Sequence, residues 1–529
     1  MWQQNYTPAG GSLALSALLA AIPIFVLLVL IGVLRKPAWI ASLAGLGAAI
    51  AVAVGVYGMP AGHLFAAITY GAAFGLFPIG WVVFAAILLY RVTLESGQFG
   101  ILKDSIGHLT GDSRLQALLI AFAFGAFVEG AAGFGTPVAV AAAMLVGLGF
   151  TPFYAAAICL LANTAPVAFG SIAIPITTLA VTTGLPLDRL SAGVGRICAP
   201  VSLFIPAYLI LVMSGWRGLR AVLPATAACG IAFAGTQFVV SNFVGAPLTD
   251  ILSSTAAMGA LLLVIRFQEH VPTVGGVRHS GRVIAMAWAP YALLVVAVLL
   301  SGLLAAELKH FDIPVKWPGL HNTIQRMPPV VAKPAPYAAV YTFPWLSASG
   351  TACLVAAILA AIVVGLKPRQ FARVVGHTAR QLAKAELTLA AVLALAFLMN
   401  YSGATATLGL AFAATGVLFP FFSSFLGWLG VFLTGSDTSS NALFGTLQVV
   451  TAGKLGMNPV LMAAANSAGG VMGKMISLTS IAVAAAATSM KREDEGMLFR
   501  FTLKHSILLA SVIGLVVMFY AYAMPAWAP

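Results

Sequence analysis

From Ser12 to Leu34 the chain carries no charged residue, and runs of the same kind recur to its end. A helix of about 20 such residues crosses a ~30 Å hydrocarbon core. The outer surface of this chain is therefore solvated by lipid. Only 8% of its 529 residues are charged, against roughly 25% in a soluble domain; 61% are hydrophobic and the mean hydropathy is +1.01. A soluble enzyme, a coiled coil, a disordered regulator and a secreted disulfide scaffold are all excluded.

Apolar stretches bounded by charge or by Gly and Pro predict twelve crossings, at about 12–34, 38–58, 76–92, 153–183, 190–213, 221–242, 251–265, 285–305, 346–366, 384–400, 458–489 and 498–520. If both termini are placed outside, 19 of the 27 Lys and Arg residues fall in inside loops and six in outside loops. Arg196 and Lys474 remain within apolar segments. Basic residues accumulate in cytoplasmic loops, so this bias supports the count and orientation. It also accounts for the net charge of +13 without nucleic acid as a partner. The four cysteines, Cys159, Cys198, Cys229 and Cys353, stand singly and form no metal or redox spacing. The uncharged segment Met1–Gly11 leads into a retained helix, not a cleaved signal peptide.

Two stretches do not fit as crossings. Residues 115–150 would extend ~54 Å as one helix, and their middle reads Glu129-Gly-Ala-Ala-Gly-Phe-Gly-Thr-Pro137. Residues 419–453 carry Thr434-Gly-Ser-Asp-Thr-Ser-Ser-Asn441 in the middle. Each reads as two half-helices meeting at a polar tip, a re-entrant hairpin of the kind tolerated only where protein or a wet cavity surrounds it. The halves also echo each other. Ser96-Gly97 recurs as Ser402-Gly403, Glu129 as Asp437, Asn163-Thr164-Ala165 as Asn466-Ser467-Ala468, and Gly170 as Gly473. The expected fold is an all-α polytopic membrane protein, a single transmembrane domain over 1–529. It has about twelve crossings plus two re-entrant hairpins, in inverted repeats near 64–245 and 370–529 with broken helices. An external loop, 306–345, serves as an ordered cover or spacer. Inverted repeats with broken helices are the architecture of secondary transporters.

After each hairpin comes a helix interrupted by a polar segment, Asn163-Thr-Ala-Pro-Val-Ala-Phe-Gly170 and Asn466-Ser-Ala-Gly-Gly-Val-Met-Gly-Lys474. Such breaks free backbone donors, and half-helix N-termini suit an anionic group. Lys474 and Arg196 are cations that need compensation in an apolar setting; a substrate carboxylate could pair with either, and for Arg196 snorkelling to the interface is an equal alternative. Asn163, Thr164, Asn466 and Ser467 at the breaks, with Ser439, Ser440 and Asn441 at the second tip, offer donors and acceptors for a carboxylate or hydroxyl. Glu129 and Asp437 are the candidates for proton coupling. Of the two, Asp437 is favoured because its hydroxyl-rich tip can stabilise both protonation states, although a structural role as cap or as partner of Lys474 is an alternative. No cofactor, metal or nucleotide motif is present: Ala468-Gly-Gly-Val-Met-Gly473-Lys474 has Ala where a phosphate loop has its first Gly and Met475 where it has Ser/Thr, and its setting is membranous.

These motifs, together with Gly215-Trp-Arg-Gly218, Arg326-Met-Pro-Pro-Val-Val331, Gly473-Lys-Met-Ile-Ser477 and the opening Trp2-Gln-Gln-Asn-Tyr6, resemble the bacterial L-lactate permease family from end to end. The resemblance implies an inner-membrane symporter that carries lactate or glycolate with a proton. Family members commonly have Pro-Gln where this chain has Leu478-Thr479, and often Ala where Thr136 stands; those departures bear on substrate preference and leave the transport class intact. The reading is a proton-coupled permease for L-lactate and related 2-hydroxymonocarboxylates such as D-lactate and glycolate, with Lys474 as counter-ion. The alternative is a sodium-coupled carboxylate carrier. A membrane-embedded enzyme finds no nucleophile–base pair to support it. Partners other than the small acid, the proton and lipid are not implied, and oligomeric state is not indicated.

Overall fold

The computed structural model describes residues 1–32, 34, 36–107, 109–133, 135–268 and 279–528; Arg35, Phe134 and Arg278, used in the sequence reading above, lie outside them. Among the described residues twelve helices are long and apolar enough to cross a membrane. Most share one continuous buried core. The set differs in detail from the sequence expectation. The expected crossing at 153–183 is bent by 67° into Pro152–Ala162 and Val167–Thr183, and the one at 346–366 is a 15-residue helix, Ser349–Val363. The expected crossings at 76–92 and 384–400 each belong to 35-residue helical runs, Ala61–Glu95 and Pro368–Ser402. The first is interrupted at Phe77, whose backbone is extended beside Pro78. Proline withholds an N–H from the helical ladder.

Each 35-residue run ends in a glycine with positive φ, Gly97 or Gly403. A short helix that apolar run lengths did not reveal follows in each case, Gln98–Gly107 and Ala404–Phe412. Then come the hairpins. The first comprises Ser113–Ala131 and Thr136–Gly147; the second, Phe419–Thr434 and Asp437–Leu455. In the second, the arms run antiparallel. Ser440 Oγ donates to the Gly427 carbonyl at 3.0 Å and Gln448 Nε2 to the Ser423 carbonyl at 3.0 Å. Both ends of the first hairpin, near 110–116 and 147–151, line one surface pocket with Met213 and Ser214. Those two residues lie toward the end of the helix Leu187–Ala221. Near the start of that helix, Arg196 holds the Trp527 carbonyl, and from the same C-terminal segment Tyr522 donates to the Val417 carbonyl at the opening of the second hairpin. The two hairpins thus enter from opposite ends of Leu187–Ala221.

The loop 306–345 is ordered by two small sheets. Ile313–Lys316 pairs antiparallel with Val340–Phe343, and Ile324–Arg326 lies between the N-terminal strand Trp2–Gln3 and Ala335–Pro336. These five short strands are additions to the all-α expectation. Aromatic side chains pin the loop to the helices: Tyr70 packs edge-on against Trp317, Phe397 and Tyr401. Tyr401 and Tyr70 donate to the carbonyls of Ala338 and Val340. Amphipathic aromatics satisfy both sides of such a boundary, burying the ring while the hydroxyl finds an acceptor.

Candidate functional site

The two tips and the two helix breaks meet. In the first tip, Gly133 and Gly135 have φ of +60° and +79°, and a Cβ on Gly133 would lie 1.9 Å from Ser171 Oγ in the first broken helix. In the second, Gly435 has φ of +73°, and its Cβ would lie 2.1 Å from Thr479 Oγ1 in the second broken helix. Only glycine permits both the left-handed turn and the close approach. The acids follow the same pattern. Glu129 Oε1 would be 2.7 Å from a Cβ on Gly170, and Asp437 Oδ1 2.4 Å from one on Gly470. The first break carries a further feature, with Ser171, Ile172 and Ala173 in succession in the left-handed region, φ of +46°, +59° and +59°. Each such residue costs about 1–2 kcal/mol, so packing of the tip must hold the turn.

Between these parts lies a cavity of about 270 Å³, at the small end of the ~300–1,000 Å³ typical of ligand pockets. Its polar lining includes Glu129, Ser171, Asp437, Ser439, Lys474 and Thr479, and its apolar lining Leu27, Ile31, Leu389 and Val392. Lys474 is close enough to act electrostatically on both Glu129 and Asp437, yet among the described residues it forms no ion pair. Asp437 opens the helix Asp437–Leu455, where the helix dipole favours an anion. Its Oδ2 accepts from Ser467 Oγ at 2.6 Å and from Asn441 Nδ2 at 3.3 Å. Behind it the chain continues: Asn466 Nδ2 donates to Asn441 Oδ1 at 2.9 Å, Gln448 Nε2 to Asn466 Oδ1 at 3.1 Å, and Ser423 Oγ to Gln448 Oε1 at 2.8 Å. A network satisfied in this way fixes its members rigidly.

The sequence-predicted residues therefore fall into groups. Glu129, Asp437, Ser439 and Lys474 line the cavity. Asn441, Asn466 and Ser467 stand one layer behind it in the network holding Asp437. Asn163 is buried beside Glu129, close enough for its side chain to act on the carboxylate. Thr164 donates to the Leu161 carbonyl of its own helix, and Ser440 joins the two arms of its hairpin. Arg196 is not brought to the cavity. It donates to Asn242 Oδ1 at 2.8 Å and to the Trp527 carbonyl at 2.5 Å, because its position near the start of its helix carries the long side chain out to the C-terminal segment. Ser171 is not among the sequence candidates, and Thr479 enters there only as a departure from the family pattern that bears on substrate preference; their place directly beside the helix breaks is the available signal. Ser42 and Thr388, on the facing helices, had none.

Apolar helices of membrane-crossing length, packed around a small cavity that Glu129, Asp437 and Lys474 all line, define an integral, multi-pass membrane protein. The family description L-lactate permease matches residues 16–524. Among curated relatives, an L-lactate permease of Salmonella typhimurium is 43% identical over 99% of both chains. An L-lactate permease of Bacillus subtilis is 44% identical over 97% of both, and Glycolate permease GlcA of Escherichia coli 44% over 98% of both. The chain belongs to the L-lactate permease family.

Proposed function

We propose that this protein imports L-lactate and related 2-hydroxymonocarboxylates, such as D-lactate and glycolate, by proton symport across the bacterial inner membrane. The observation that carries the reading is Lys474, a cation without an ion-pair partner on the wall of a cavity sized for a small acid. The substrate carboxylate pairs with Lys474, its oxygens and 2-hydroxyl meet Ser439, Ser171 and Thr479, and its carbon end faces Leu27, Ile31, Leu389 and Val392. The names of the relatives support lactate and glycolate as substrates. A proton taken up with the anion leaves the loaded site without net added charge, which suits passage through low dielectric. The two halves act as inverted repeats, near 64–245 and 370–529. Their recurrent element order and the opposite approach of the hairpins support this. Both termini then lie on the periplasmic face with loop 306–345, to which the N-terminal strand is paired.

The test is uptake by purified protein in proteoliposomes of a panel of small acids under separately imposed pH and sodium gradients. Accumulation of L-lactate or glycolate driven by an inward proton gradient, indifferent to sodium, is the expected result. Accumulation that follows sodium alone refutes proton symport, and no uptake of any 2-hydroxymonocarboxylate refutes the substrate class.

A further inference from the structure

On the side of the first tip away from the cavity lies a carboxylate that the sequence reading passed over. Asp250 is in the first turn of the helix Thr249–Gln268, 1% exposed, and neither of its oxygens has a hydrogen-bond partner. Its Cβ lies 2.8 Å from where a Cβ on Gly130 would be, so the helix is pressed against the tip at the residue following Glu129. Glu129 is 3% exposed, and its Oε2 also lacks a partner. The two acids are within electrostatic reach of each other. Gly130, having no side chain, is what allows the approach.

A buried carboxylate is tolerated as an anion only when donors or a cation meet it. Asp250 has neither. No Lys, Arg or His forms an ion pair with it among the described residues. The ionisable groups on the elements packed around it are Glu129 on the hairpin, Cys198 on Leu187–Ala221, Cys229 on Leu223–Phe243, and Tyr291 on Gly281–Leu303, whose hydroxyl is 3.3 Å from Thr93 Oγ1. None of these is a cation. The dipole of its own helix favours an anion, yet no N–H reaches its oxygens. Two adjacent carboxylates of this kind cannot both ionise. Asp437 differs in having donors on one oxygen: its Oδ2 accepts from Ser467 and Asn441, while its Oδ1 has no partner.

We infer that Glu129 and Asp250 form the proton-carrying pair of the transport cycle. Glu129 faces the cavity and Asp250 stands behind it as a relay. The inference rests on the proton-symport reading and assigns the proton to particular atoms. In the transfer an O–H bond breaks at one carboxyl as one forms at the other, through rotation of the side chains or a single water, and no redox partner is needed. With the proton on Glu129, the cavity presents Lys474 and one carboxylate, and it accepts the anion. When the site opens inward and the proton leaves the pair for the inner solution, the negative charge on Glu129 returns beside Lys474 and expels the substrate anion.

The experiment compares wild type, Asp250→Asn and Asp250→Glu in proteoliposomes at a pH gradient of one unit, where a one-to-one symporter concentrates its substrate about tenfold. Each variant is first shown to be monodisperse. Asp250→Asn is expected to bring lactate accumulation down to about onefold and to flatten the external-pH dependence of uptake. Asp250→Glu is expected to restore most of both. A wild-type ratio and pH profile in Asp250→Asn overturns the relay. So does a folded Asp250→Asn protein that has lost lactate counterflow between equal pools as well, since that marks a role in the pathway itself. Failure of the wild type to accumulate lactate under a pH gradient would instead reject proton symport, and is read separately.

Discussion

Replacing Gly427 by alanine adds one methyl group where, among the described glycines, a Cβ would make its shortest contact. Its Cβ would lie 1.8 Å from the Asn466 carbonyl oxygen and 2.6 Å from the carbon of the same group. The contact is repeated along the seam: a Cβ on Gly469 would be 2.0 Å from the Ser424 carbonyl oxygen, and one on Gly473 2.4 Å from that of Trp428. Small residues are what let helices approach closely in lipid, where no hydrophobic force drives them together. Because the obstacle is backbone, no side chain can rotate away, and the hairpin arm must retreat by about 1.5 Å to reach ordinary van der Waals distance. A gap of 0.5–1 Å already forfeits roughly a quarter to a half of each contact's attraction, and overpacking of this kind costs about 1–3 kcal/mol or more. The expected loss for Gly427→Ala is therefore about 3 kcal/mol. Asn466 would shift with the carbonyl, pulling on Asn441 and hence on Asp437, so lactate affinity should fall as well. Gly47→Ala is the control: that glycine sits in the helix Ala38–Gly55 with nothing within 4 Å of its would-be Cβ. There alanine should be neutral or stabilising, by up to about 1 kcal/mol. Thermal unfolding in detergent and lactate binding by calorimetry measure both. If Gly427→Ala melts with Gly47→Ala, the seam is not packed as described and the rigid placement of Asp437 loses its basis.

Lys474→Ala should abolish uptake, and Lys474→Arg should largely do so, since a planar fork does not replace a compact ammonium; normal lactate affinity in folded Lys474→Ala protein would refute its role as counter-ion. Asp437→Asn and Ser467→Ala should each lower the melting temperature and couple by about 1 kcal/mol or more in a double-mutant cycle, because their 2.6 Å hydrogen bond is charge-assisted; strict additivity would show that the carboxylate is not held there as an anion. In a background without the four buried cysteines, single cysteines at Ser113 and Thr151 should label from the cytoplasm, and those at Ala414 and Lys454 from outside. All four positions are exposed. Labelling of Ser113 and Thr151 from opposite sides would overturn the hairpin.

Some of this was legible in the sequence because hydropathy and glycine leave strong marks. The two long apolar runs with polar centres are helical hairpins, and Glu129, Asp437 and Lys474 line one cavity because tips and breaks recur in a fixed order. Other features left no such mark. Arg196 and Lys474 look alike as cations in apolar runs, and only the third dimension shows that one reaches the C-terminal segment and the other the cavity. Asp250 was discounted because a charge normally bounds an apolar run, so the crossing was begun at residue 251 and the acid fell into the loop. Ser440 and Asn441 are neighbours of the same chemical kind, yet a helix turns them by about 100°, one toward the other arm and one toward Asp437. The short helices Gln98–Gly107 and Ala404–Phe412 follow sharp glycine turns that run length alone does not detect.

The stitching of the chain's first residues has a consequence for biosynthesis. Trp2 and Gln3 pair with Ile324 and Gln325, Gln4 donates to the carbonyls of Asn400 and Tyr401, and the Tyr6 carbonyl accepts from Thr407. The first of these partners, Ile324, is made about 320 residues later and the last, Thr407, about 400 residues later, so docking completes only then. At ~5–20 residues per second, the N-terminal segment waits about 20–80 s after its own synthesis before it can dock. During that interval it is a free polar tail beside the first helix, open to proteases and chaperones, and its docking reports that the second half has arrived. Protection of Gln4 and Tyr6 from cleavage would thus serve as a clock for the last stage of assembly.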